Sequence, residues 1–109
     1  MNELIKQLSR EEYLATMSGK MHNVTETAEP LVNIWSFVKR LPKSVPLSEY
    51  GVQKRLIEAV YEDEQKTYQH ILLFGEKKNS YVVLIIDVEV RSILGYYPLD
   101  IDKEYHTDK

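Results

Sequence analysis

A chain of 109 residues, 43% hydrophobic and 28% charged, has room for one folded core and no second one. It contains no cysteine, which excludes a disulfide framework and every thiolate metal site. The net charge of −3 is unevenly spread: residues 1–57 hold eight basic and six acidic side chains, residues 58–109 six and eleven. No basic stripe with interleaved aromatics runs along the chain, so nucleic-acid binding is disfavoured, with only a local patch at Lys39, Arg40 and Lys43. The longest apolar run, residues 82–86, is too short to cross a bilayer. The first residues are too charged for a signal-peptide core, and a cytoplasmic protein is expected.

Residues 3–18 have a helical pattern through Leu4, Ile5, Leu8, Leu14 and Met17. Ser9 and Glu12 have the spacing of a capping box. Either one kinked helix runs through, or a short turn precedes a helix starting at Arg10, with Gly19 as its stop. Residues 21–27 are polar and β-tolerant, fitting an extended linker or a short edge strand. Thr27 and Pro30 then open an amphipathic helix on which Leu31, Ile34, Trp35, Val38 and Leu41 share one face. Pro42 ends it, and Trp35 is expected to anchor it across a sheet.

After the stiff connector 41–46, Ser48 caps a second expected helix carrying Val52 and Leu56. The period becomes ambiguous near Ile57, and a strand is expected from about Ala59. Residues 68–74, 81–87 and 92–97 read as three strands joined by a polar loop at 75–79 and a tight reversal at 88–91. The run 82–86, closed by Asp87, is the pattern of a strand buried on both faces. Pro98 should stop the ladder or permit it only at an edge. The expected fold is α+β: two to three helices followed by a three- to four-stranded antiparallel meander, with the Trp35 helix on the sheet. Residues 1–19 form a helical extension, 20–100 the core and 101–109 a tail of one domain.

His70 lies mid-strand, where a general base would be held rigidly, yet no acid is forced onto its face, so a semi-buried structural histidine is the favoured reading. His22 and His106 are expected in solvent, and the three are too dispersed for metal-ligand spacing. Asp100, Asp102 and Glu104 alternate as an oxygen cluster would, but a solvated polar face is the favoured reading. Asp87 reads as the start of a turn. Neither a metal site nor a cofactor is expected, since no phosphate-cradling loop, nucleophile elbow or Cys/His pair is present. The eight tyrosines include Tyr96 and Tyr97, which point to opposite sheet faces, so that at least one is expected to be exposed, either as a core-rim residue with its hydroxyl in water or as a binding residue.

The segments Asn23-Val-Thr-Glu-Thr-Ala-Glu-Pro30, Ile34-Trp35, Val60-Tyr61, His70-Ile-Leu-Leu73, residues 82–87 and Ile93-Leu-Gly-Tyr-Tyr-Pro-Leu-Asp100 resemble a family of small uncharacterised bacterial proteins. Its members are often met near mobile-element or prophage genes. The resemblance spans roughly residues 20–105 and implies a compact α+β domain without implying an activity. The family often carries histidines at the positions of Tyr96 and Tyr97, so any chemistry they perform is absent from this member. The order of helices and meander also resembles the RelE/barnase-type ribonuclease layout, which implies a base, an acid and cations around a phosphate. His70, Glu62, Arg91 and Tyr97 are the residues available for those parts.

The expected function is a non-catalytic protein-binding module, an inhibitor or accessory protein of mobile-element origin. Its expected surface is Glu58, Glu62, Asp63 and Glu64 with Tyr96 and Tyr97, an acidic patch suited to a basic partner. The alternatives are a small ribonuclease or toxin, and a domain that forms a homodimer through a sheet edge.

Overall fold

The computed structural model describes residues 4–17, 19–23, 37–45, 47–48, 56–62 and 64–100, with backbone alone at 22–23 and 56–59. Five strands follow one short helix: α1 (Arg10–Ala15), β1 (Lys20–Asn23), β2 (Leu56–Glu62), β3 (Thr67–Phe74), β4 (Ser80–Asp87) and β5 (Ser92–Asp100). They form one antiparallel sheet in the order β1-β2-β3-β4-β5, each strand beside its sequence neighbours.

Among the described residues, the expected two to three helices followed by three or four strands are therefore corrected to one six-residue helix, two further helical residues at 37–38, and a five-stranded sheet. Leu56, expected on a helix, and Ile57, where the period is ambiguous, pair with Leu72 and Ile71 as the first residues of β2. Their apolar spacing suited either state, and pairing with β3 decided it. Residues 31–36 of the expected Trp35 helix and residues 49–55 of the second lie outside the described residues.

Strand β4 fulfils the two-faced reading, with Val82 through Ile86 all at 1% exposure or less. Alternation sends Val82, Leu84 and Ile86 to one face with Ile71 and Leu73, where Phe37, Val38, Leu41, Val45 and Leu47 cover them. Val83 and Ile85 point to the other face, beneath Leu8 and Tyr13. Burying five such side chains supplies the main apolar stabilisation of the sheet, about 2 kcal/mol each.

The hairpin loops behave as their residues demand. Asn79 (φ 65°) and Arg91 (φ 53°) take the left-handed turn positions ahead of β4 and β5. Asp87 closes the second reversal: its carboxylate accepts from the Glu89 amide at 3.1 Å and from Lys66 Nζ at 3.0 Å. Burial alone would raise the Asp87 carboxyl, but Lys66 and the Val90 and Glu89 amides outweigh it and hold it below its ordinary value. Pro98 lies opposite Val82 and is tolerated because β5 is the last strand of the sheet.

The N-terminal segment does something that its helical pattern did not foretell. Residues 4–8 are not helical; they run parallel to β5 beside Tyr96. The Tyr96 amide donates to the Lys6 carbonyl at 3.1 Å, and the Leu8 amide donates to the Tyr96 carbonyl at 2.9 Å. Ile5 packs with one face cluster and Leu8 with the other, so this strap wraps the β5 edge. A helix then starts at Arg10, behind a complete capping box: the Glu12 amide donates to Ser9 Oγ and the Ser9 amide to Glu12 Oε1.

Candidate functional site

Two regions carry the residues with functional promise. One is the aromatic cluster under α1; the other is β1, the last described strand on its side of the sheet.

The cluster forms because β2, β3 and β5 each send ring side chains to the face that α1 covers. His70 lies opposite Ile85 and is 2% exposed. Its ring sits 4.8 Å from that of Tyr61 and 5.7 Å from that of Tyr13, measured between centroids. Tyr13 in turn stacks on Tyr97 at 4.2 Å with only 5° between the planes. His70 Nε2 is 2.9 Å from Thr16 Oγ1, itself buried where α1 ends. Burial lowers the His70 pKa from the ordinary 6.5 to about 4, against a weaker upward pull from Thr16, so the ring is neutral at pH 7.

That arrangement does not assemble the ribonuclease set. Tyr61 contacts the His70 ring, so its neighbour Glu62 is directed to the opposite sheet face. Arg91 is exposed in the reversal between β4 and β5, and Tyr97 is engaged by Tyr13. His70 is enclosed by side chains, and a general base needs to reach the proton that it abstracts.

The expected binding residues are also redistributed. Tyr96 and Tyr97 do point to opposite faces, but Tyr96 is 5% exposed in the core and Tyr97 is half-buried against Tyr13. Burial raises the Tyr96 hydroxyl pKa, and that hydroxyl donates to Gln7 Oε1 at 3.4 Å. A surface role for Tyr96 is thereby corrected to a packing role. Glu62 and Glu64 are exposed at the end of β2 and in the loop after it. Glu58 occupies the irregularity between Ile57 and Ala59, where the β2–β3 register shifts. The Glu58 side chain, Asp63, Asp102 and Glu104 lie outside the described residues. Among the described residues, no three His, Asp or Glu side chains gather as metal ligands. No helix among them is long and apolar enough to cross a membrane.

At the far side of the sheet, β1 pairs with β2 from Lys20 opposite Glu62 to Asn23 opposite Ala59. Met21 is exposed there, as are Leu4, Leu14, Val90 and Leu94 elsewhere on the surface. Among the described residues, no segment pairs with the outer side of β1. The two edges of the sheet thus differ: β5 is wrapped by residues 5–8, whereas β1 is the last described strand on its side.

Sequence reasoning missed Tyr13 and Thr16 as members of the α1 contact and Gly95 as the seat of the strap. A glycine inside a strand pattern signals close backbone approach, and Gly95 carried that signal. Compared with protein-family models, curated proteins and solved structures, the chain matches none. The likeness to the small bacterial family rests on its sequence segments alone.

Proposed function

We propose that the chain is a non-catalytic protein-binding module that takes up an extended segment of a protein partner along the outer side of β1. The observation that supports this reading is the difference between the edges. An unpaired strand edge offers a row of backbone donors and acceptors, and natural sheets cover or blunt such edges. Here the chain covers β5 with its own strap, while among the described residues no segment pairs with the outer side of β1. Glu62 and Glu64, exposed at the same end of the sheet, favour a partner segment with basic residues. An inhibitor or accessory factor is the form of this function that matches the acidic second half of the chain.

Proline substitution tests it. Consecutive strand amides point to opposite sides, so one of Met21 and His22 donates towards β2 and the other away from it. Proline at the outward amide removes a donor for the partner and leaves the β1–β2 pair intact. The expected result is a partner captured by the wild-type chain and lost with that variant, with weaker capture after Glu62→Lys and Glu64→Lys. Equal capture by wild type and both proline variants would exclude the β1 edge.

A further inference from the structure

Thr16 has a single hydroxyl proton and gives it to the Tyr13 carbonyl at 2.7 Å. The 2.9 Å contact with His70 must therefore run the other way, with Nε2–H donating to Thr16 Oγ1. This makes Nδ1 the unprotonated nitrogen, and the Thr16 backbone favours the charged ring less than burial opposes it. Protonation would place a second N–H and a full charge in that enclosed position.

The groups that face His70 are the Tyr13 ring and the Thr16 hydroxyl from α1, the Tyr61 ring from β2 and Ile85 from β4. None is a carboxylate able to neutralise an imidazolium. The nearest acid along β4, Asp87, lies opposite Tyr68 rather than His70 and is engaged by Lys66.

We propose that the Thr16–His70 contact is an acid-released latch: protonation of His70 undocks α1 and the strap of residues 5–8, while β2 to β5 stay paired. Release would open the β5 edge at Tyr96 and uncover the face around Tyr97. This device concerns the edge opposite β1 and does not depend on the function proposed for β1. Among the described residues, the strap is held by two backbone hydrogen bonds at Tyr96, by the Ile5 amide donating to the Arg40 carbonyl at 2.9 Å and by the buried Ile5 and Leu8, and α1 docking adds to these.

The direction with pH follows from linkage. Burial holds the docked His70 near 4, against 6.5 for a solvated ring. Docking is at full strength above the higher value, weakens as pH falls between the two, and loses nothing further below the lower one. Each pH unit inside that window shifts the docked-to-released ratio about tenfold. Glu12 works against a competing explanation: its hydrogen bond from the Ser9 amide and its Lys6 contact lower its pKa, so the cap outlasts ordinary carboxylates as pH falls.

An NMR titration of the full chain from pH 7 to pH 3.5 tests the latch, following the His70 imidazole and the backbone amides together. The expected result is that amides of residues 5–17 lose dispersion in step with His70 protonation, while those of β3 and β4 keep theirs. His70→Gln retains a donor for Thr16 but cannot take up a proton, and should keep the strap docked at least one pH unit lower. A strap still docked after His70 has titrated, a His70→Gln variant that releases at the wild-type pH, or strap and strands lost in one transition would each overturn the proposal. Should His70→Gln fail to fold, the imidazole 15N shifts of the wild type decide. A proton on Nε2 at neutral pH is expected, and one on Nδ1 would contradict the latch.

Discussion

Leu8 lies over Gly95 so closely that a Cβ at that glycine would come within 2.7 Å of Leu8 Cδ2 and 2.9 Å of the Lys6 carbonyl oxygen. The missing side chain is what lets the strap reach the β5 edge. Gly95→Ala is expected to push Leu8 and Lys6 off that edge at a cost of about 1–3 kcal/mol, the usual range for overpacking. Chemical denaturation measures the loss. Faster hydrogen exchange at the Tyr96 amide, which donates to Lys6, locates it.

The Tyr13–Tyr97 stack joins α1 to β5 through side chains alone. A double-mutant cycle with Tyr13→Leu and Tyr97→Leu should return a coupling of about 0.5–1.5 kcal/mol. Additive losses would mean that the two rings contribute only through separate burial.

Leu84 is fully buried on the face covered by residues 37–47, opposite Tyr96 in the register. Leu84→Ala is expected to destabilise the fold by about 2–5 kcal/mol. Thermal melting would show it, and a change near zero would mean that this face is not packed as described.

Asp87 turns the chain between β4 and β5 through its bonds to Glu89 and Lys66. Its carboxyl titrates below the ordinary 3.8, so the charged form is the one the fold favours. That stabilisation is present above the ordinary value and lost as pH falls through the depressed one. Asp87→Asn should thus be less stable than wild type at pH 7, and the gap should close as acid protonates Asp87 in the wild type. Parallel urea titrations at the two pH values read this directly.

Much of the sheet was legible because its signals are local. The 82–86 run between turn residues marks a strand that needs cover on both faces, and Ser9 with Glu12 marks a helix start wherever the helix then packs. The residues that were misread are those whose state depends on distant partners. Ile5 and Leu8 have helical spacing, yet extended backbone lets them straddle the β5 edge and enter both face clusters. Leu56 and Ile57 suited either state until β3 supplied a pairing surface. The Thr16–His70 contact joins residues 54 apart, and neither residue by itself announces the other. Tyr96 was placed at a surface because the wrapping strap could not be foreseen.

Hydrogen exchange on the protein with and without its captured partner tests the role of β1 most directly. Partner binding along that edge predicts new protection at whichever amide of Met21 or His22 points away from β2, with the Tyr96 amide unchanged. Protection that appears on α1 or β5, and leaves both β1 amides exchanging at their free rates, would contradict it.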